Sequence, residues 1–292
     1  MKPLIATKII RPIYNYYKKL SVNFSILRYQ TKGRRPWSTG YNEYKWQSIN
    51  KYIHDKKIIS IFKDNALLPK NYGRGIDERI VEYPWIISNI DLKSGKLLDT
   101  GSALNFSDIL EHEVFVDKKI TIANLNPESR CYWEKEISYI FDDIRSMPFR
   151  DGSFDLITCI STLEHVGMDN TTMYTRNTKY KESEKRDYFK VITELKRLLK
   201  QNGKLLITVP FGEYQNFGFF QQFDASMIQN IINVFGSTNY SLNYYRYTNQ
   251  GWQLSNEEES SHEKYFNVHE DKSIPSDMAA AARSVACIKI IK

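Results

Sequence analysis

"MPFRDGSFDLITCISTLEHVGMDN", residues 147–170, carries the densest structural signal in this 292-residue chain. A proline turn leads through Phe154 and Asp155 into the apolar run 156–160. A run that short, apolar and bounded by turn residues reads as a buried strand. It stops at Ser161, Thr162, Leu163, Glu164 and His165. A core strand that ends in two hydroxyls, a carboxylate and an imidazole ends at the edge of a polar pocket.

Similar strands lie on either side. "GKLLDTGSALNF" (95–106) gives a strand over 96–100, a glycine turn and a helix start; "KKITIANLNPE" (118–128) gives one ending near Asn124. "EISYIFDD" (136–143) is a third strand, residues 154–160 a fourth and "KLLITVP" (204–210) a fifth. Between the last two, "RDYFKVITELKRLLKQNG" (186–203) is helical, with apolar residues at 188, 189, 191, 192, 195, 198 and 199 and Gly203 as its stop. "YGRGIDERIVEYPWIISNI" (72–90) reads as a glycine turn and an amphipathic helix with Asp77 as N-cap. Alternating helices and strands argue for an α/β fold, a mostly parallel sheet with helices on both faces. "YSLNYYRY" (240–247) and "ARSVACIKIIK" (282–292) have no good helix between them and make an antiparallel pair at the sheet edge, seven strands in all.

Residues 1–70 hold 15 Lys/Arg against 3 Asp/Glu, and the other 222 hold 26 against 31, so the net charge of +7 belongs to an N-terminal extension. There "KIIRPIYNYYKKLSVNFSILRYQTKGRRPW" (8–37) interleaves aromatic, aliphatic and basic residues. That composition suits a helical segment meeting an anionic membrane surface or a phosphorylated substrate, or a solvated face packed on the next domain. No nucleic-acid module is recognisable. Hydrophobic residues at 41% suffice for a substantial core. The three cysteines, Cys131, Cys159 and Cys287, have neither zinc nor disulfide spacing and suit a reducing cytoplasm. No run reaches the length of a membrane span, no secretory signal is visible, and no metal-ligand cluster is present.

In an open α/β sheet, ligands bind beyond the carboxyl ends of the strands, where strand order reverses. The residues there are Asp99, Gly101, Ser102 and Asn105 after the first strand, Asn124 after the second, Asp143 after the third, and Ser161 to His165 after the fourth. The sequence lacks the G-x-G-x-x-G of dinucleotide enzymes and the G-x-S-x-G of α/β hydrolases.

Over residues 72–292 this set resembles the class I S-adenosylmethionine-dependent methyltransferases. "LLDTGSALN" (97–105) is similar to the family's first motif, "FDDIRSMPF" with "GSFD" (141–155) to its adenine segment, and "LLKQNGKLLITVP" (198–210) to its penultimate helix, turn and fifth strand. The resemblance implies a Rossmann-like domain over 71–292, with insertions near 166–186, 212–224 and 249–282. It implies S-adenosylmethionine as cofactor, held by Asp99, Gly101, Ser102, Asn105, Asn124, Asp143 at the adenine amino group, the Ile144 N–H at the ring nitrogen, Ser161 and Glu164. Two departures stand out: Ala103 and Asn105 replace two usual glycines, and Asn124 replaces the usual ribose-binding carboxylate. His165 is the candidate general base for a hydroxyl acceptor; packing or a helix start is its other reading. Arg74, Arg79 and Glu82 either cover the cofactor or form surface helix pairs. The acceptor site is expected from the long insertions 166–185 and 211–224.

"STLEH" with "GMDN" (161–170) and "AAARSVACIKIIK" (280–292) resemble the branch associated with bacterial surface-polysaccharide synthesis. That branch implies O-methylation of a saccharide or glycan intermediate, in the cytoplasm or peripherally at the inner membrane face. The alternative is a non-catalytic, degenerate methyltransferase-fold module docking on a glycan-assembly partner or membrane.

Overall fold

The computed structural model describes residues 4–268, 270–271 and 273–292. The basic N-terminal segment forms three helices, α1 (Leu4–Thr31), α2 (Tyr41–Ile53) and α3 (Lys56–Lys63), ahead of α4 (Arg79–Ser88). The parallel part of the sheet is β1 (Gly95–Thr100), β2 (Lys118–Asn124), β3 (Ser138–Phe141), β4 (Phe154–Ile160) and β5 (Leu199–Pro210), with short α5 (Ser107–Leu110) and α6 (Thr171–Tyr174) and the longer α7 (Tyr188–Leu198) between them. A two-residue hairpin, β6 (Gln215–Asn216) and β7 (Gln221–Gln222), precedes α8 (Ala225–Phe235). The chain closes with β8 (Tyr240–Thr248), β9 (Gly251–Ser255), α9 (Glu257–Ser260) and β10 (Ser284–Ile291).

The strand order is β3-β2-β1-β4-β5-β10-β8-β9. β10 runs antiparallel to both β5 and β8, as the 240–247 and 282–292 patterns predict. This is a Rossmann-like, doubly wound sheet. It has eight strands where the sequence predicts seven, because β9 pairs antiparallel with β8 inside the segment read as an insertion. Trp252 makes that pairing profitable: it is fully buried, and its indole N–H donates to the Ile76 carbonyl at 2.9 Å.

The strand pleat sorts the core onto two faces. Leu97, Leu156, Leu206 and Cys287 join Ile49, Ile53, Ile58, Phe62 and the buried side chains of α4 on one face. Their neighbours Leu98, Ile157, Leu205 and Ile288 pack with α7 and α8 on the other. Apolar runs rather than alternation therefore mark the central strands, since both faces are covered. The basic N-terminal residues share this core from α2 onward.

Two local expectations are corrected. The 186–203 helix ends at Leu198, and Leu199 is already extended (φ −75°, ψ 135°). Gly203 lies within β5, where the ladder to β4 shifts register; a Cβ there meets the Lys200 carbonyl oxygen at 2.8 Å, so the bulge needs glycine. Asp77 precedes the true cap position, Glu78. Its Oδ1 accepts the Arg79 N–H at 3.3 Å, while Oδ2 accepts the Tyr41 hydroxyl at 2.9 Å and the Lys45 ammonium at 2.8 Å. One buried carboxylate thus ties α2 to the start of α4.

Removing one partner of a buried ion pair leaves the other charge uncompensated. The Lys45 and Asp77 side chains are only 12% and 4% exposed. Asp77→Ala is expected to lower the unfolding free energy by about 3 kcal/mol in urea melts. An unchanged midpoint would show that the N-terminal helices are not held this way.

Candidate active site

The strand order reverses between β1 and β4, and the turns leaving these two strands meet. Gly101 (φ 89°) passes so close to Thr162 that a Cβ would lie 2.1 Å from its Oγ1. Ser102 (φ 62°) and Ser161 (φ 39°) both hold the left-handed region, which non-glycine residues enter at a cost. The backbone is thus forced open at both strand ends.

The first-strand residues divide between the cavity wall and its foundations. Asp99 is fully buried beneath the turn: Oδ2 accepts the Leu104 N–H and Oδ1 the Thr158 hydroxyl, each at 2.8 Å. Burial lifts its pKa to about 7. Ser102 is buried above it, with an Oγ that has no hydrogen-bond partner. Asn105 is also fully buried and turned away; its amide donates to Glu128 Oε2 and the Arg130 carbonyl, both at 3.0 Å.

A cavity of about 250 Å³ collects Gly101, Asn124, Asp143, Ile144, Ser161 and His165. The Asn124 amide donates to Glu128 Oε1 at 2.7 Å, so two asparagines grip the two oxygens of one carboxylate. Glu128 escapes the sequence reading because it stands four residues beyond the strand end. The only hint is that both glycine-motif and second-strand positions carry amides. Asp143 takes Arg145 Nε on both oxygens (3.0 and 2.9 Å), Nη2 at 2.6 Å and its backbone N–H at 2.8 Å. Burial opposes ionisation of Asp143, but these bonds together hold its carboxyl below the ordinary value. Each Asp143 oxygen thus accepts two contacts from Arg145, which fills the roughly four acceptor sites of the carboxylate. Arg145 also binds Glu182 (2.7 Å) and Asp187 (2.6 Å), fastening the 166–186 segment over this cavity through Met173, Tyr174 and Glu182. That insertion, expected at the acceptor, covers the Asp143 cavity instead.

A second cavity of about 420 Å³ adjoins the first, and the two share only Arg79, Ser161 and His165. Its walls are Phe219 and Phe220 from the 211–224 insertion, Tyr265 and Phe266 from 249–282, and Glu78 and Glu164. Glu164 therefore faces this cavity and not the one holding Asp143. Arg79 and Glu82 are not a surface pair: Glu82 is fully buried. Its Oε2 binds Arg79 Nη1 at 2.8 Å, and its Oε1 accepts the hydroxyls of Ser161 (2.5 Å) and Thr208 (2.7 Å). Arg74 is exposed on the glycine turn, away from both cavities.

His165 ends the single turn Leu163–His165 at the boundary of the two cavities. Its Nδ1 lies 3.0 Å from the Phe219 carbonyl. A carbonyl only accepts, so Nδ1 carries the proton and Nε2 keeps its lone pair. Burial, aided by the Arg79 charge, pushes the imidazole pKa below the usual value. The ring is neutral at physiological pH and can take a proton at Nε2.

Residues 101–207 match the family model of the methyltransferase domain. The methyltransferase-domain match starts at the glycine turn and ends within β5. A stretch of 67 residues, 23% of this chain, is 34% identical to an uncharacterized protein of Methanocaldococcus jannaschii, and the chain spans about a fifth (21%) of that relative's length. Among solved structures, the YcgJ protein of Bacillus subtilis is similar at TM-score 0.44 and 13% identity, over 73% of this chain and 98% of that one. The 1,6-didemethyltoxoflavin N1-methyltransferase of Burkholderia thailandensis, solved with its substrate and S-adenosylhomocysteine, is similar at TM-score 0.40 and 11% identity, over 68% and 71% of the two chains.

Proposed function

We propose that the protein is an S-adenosylmethionine-dependent methyltransferase acting on a hydroxyl of a saccharide or glycan intermediate. One observation carries the reading: a polar cavity at the strand switch and an aromatic cavity meet at a neutral, half-buried histidine.

The polar cavity suits the cofactor. The Ile144 N–H lines this cavity and donates no hydrogen bond among the described residues, a donor that matches a ring nitrogen of adenine, with Asp143 beside it held by Arg145. Asn124, its amide held by Glu128 Oε1, lines the cavity where a ribose diol would lie. Gly101 lets the chain approach closely, and Arg79 offers guanidinium nitrogens beyond the one spent on Glu82 to a carboxylate. S-Adenosylmethionine, when bound, supplies an electrophilic methyl group on a sulfonium.

The chain's own part is alignment, water exclusion and removal of one proton. Phe219, Phe220 and Tyr265 offer flat faces for a sugar ring. As the new O–C bond forms and the S–C electron pair returns to sulfur, His165 Nε2 takes the hydroxyl proton. The Phe219 carbonyl holds the ring in that tautomer and orientation. The non-catalytic alternative finds less support, because the Ile144 N–H and His165 Nε2 have no partner among the described residues and line these cavities.

The outer face of α1 supports docking on an anionic bilayer. Tyr17, Leu20, Phe24 and Leu27 recur at helical spacing and are 66%, 46%, 69% and 56% exposed, and Lys19, Arg28 and Lys32 lie exposed alongside. No helix among the described residues is long and apolar enough to cross a membrane. An interfacial helix needs only this apolar stripe with basic flanks.

His165→Gln is expected to cut the rate of labelled methyl transfer to a panel of nucleotide- and lipid-linked sugars by about 10²- to 10⁴-fold, with S-adenosylhomocysteine affinity kept. In the wild type the rate should hold level through neutral pH and fall only as the pH drops below the usual imidazole range, where His165 gains its proton. Transfer that is unaffected by the substitution, or that goes to nitrogen, would contradict this role. The protein should also sediment with vesicles containing phosphatidylglycerol and not with phosphatidylcholine alone, and Phe24→Glu should release it. Equal binding to both vesicle types would argue against lipid docking.

A further inference from the structure

The aromatic cavity is lined by more carboxyl groups than an ordinary sugar requires. Among the described lining groups Arg79 is the single cation, and its nearest partner is Glu82, outside the cavity, at 2.8 Å. Glu78 and Glu164 have no basic partner within salt-bridge distance among the described residues. Glu164 is 2% exposed, and its Oε2 has no hydrogen-bond partner among the described residues. A buried carboxylate without a partner is costly and normally absent from a finished core.

We propose that this cavity recognises an organic ammonium group on the acceptor, seated between Glu164 and Glu78 against the faces of Phe220 and Tyr265. The assignment rests on reading the His165 cavity as the acceptor site. Carboxylate oxygens supply charge-assisted acceptors for an N–H donor. Aromatic faces attract the same cation through their quadrupole, and Phe220 and Tyr265 stand edge to face with ring centres 4.8 Å apart. A divalent metal fits less well, since hard cations need six or more oxygen ligands and half of this wall is hydrocarbon. The cofactor's own ammonium is the other claimant for Glu164, but Glu164 borders the second cavity and not the one containing Gly101, Asn124 and Asp143.

Burial, with Glu82 and Glu78 as like-charged neighbours, raises the Glu164 pKa well above the ordinary carboxylate value, and burial lifts Glu78 to about 8. An arriving cation offsets the cost of ionising these carboxyls. A cation in the cavity favours the ionised carboxylates and their charge-assisted hydrogen bonds, a gain that a neutral acceptor of the same shape does not have. The acceptor class that satisfies both ends is an amino-bearing polyol or aminosugar, its hydroxyl at His165 Nε2 and its ammonium at Glu164.

The direct test compares cyclohexylamine with cyclohexanol, two rings of sugar size that differ in charge, titrated into the full chain at neutral pH with and without S-adenosylhomocysteine. The amine is expected to bind at least about tenfold more tightly than the alcohol, and Glu164→Gln should bring the ratio towards one. Glu78→Gln, measured in parallel, should reduce it less and keeps the test valid if the first variant folds poorly. Equal affinities in the wild type, no amine binding at tens of millimolar, or a ratio untouched by both substitutions would overturn the proposal. So would a loss of S-adenosylhomocysteine affinity in Glu164→Gln with the amine ratio unchanged, which would assign Glu164 to the cofactor. Failure of S-adenosylhomocysteine to bind would sink the cofactor reading alone, since the amine-to-alcohol ratio is also read without it.

Discussion

The fully buried Glu82 carboxylate is the constraint on which both cavities depend. It draws a cation from its own helix and hydroxyls from the ends of two strands, Ser161 after β4 and Thr208 in β5. Such a group is tolerable only because its acceptors are filled by one charged and two neutral donors. The consequence is geometric. α4 is locked across the strand ends, Arg79 is held at the border of the two cavities, and Ser161 is kept in a left-handed conformation that redirects the chain towards Leu163–His165.

From that fixed point the chemistry follows by position. The bend at Ser161 sends Glu164 to one side and leaves His165 at the shared wall. The Phe219 carbonyl, from the loop between β6 and β7, then selects which imidazole nitrogen keeps its lone pair. On the other side, Arg145 gathers Asp143, Glu182 and Asp187, so the Asp143 carboxylate and the covering segment 166–186 are fastened by the same guanidinium. A planar, multidentate cation serves this better than a lysine. The 166–186 insertion thus lines one cavity, and the 211–224 and 249–282 insertions line the other.

Most of the parallel sheet was readable from residues because each central strand is apolar on both faces, as with Leu97 and Leu98 or Leu205 and Leu206. β9 was not readable, since Gly251 to Ser255 gains its core residue, Trp252, only from contact with Tyr72 and Ile76 far away in sequence. The α7 boundary was misplaced because apolar periodicity continues through Leu198 and Leu199 while the ladder to Phe154 already begins. In the site, Gly101, Asn124, Asp143, Ile144 and Ser161 do line one cavity. Asp99 and Asn105 carry the turn from beneath, a distinction that needs burial and hydrogen bonds rather than spacing. Glu128 and the buried role of Glu82 were invisible for the same reason: their partners are long-range.

The central claim is that the cavity at the strand switch binds the cofactor, and calorimetric titration of S-adenosylhomocysteine into the full chain and into Asp143→Ala tests it most directly. The account predicts a dissociation constant on the order of micromolar in the wild type and a loss of at least about tenfold in the variant, equal to about 1.4 kcal/mol of hydrogen bonding. No binding up to millimolar concentrations, or equal binding by the two proteins, would contradict it.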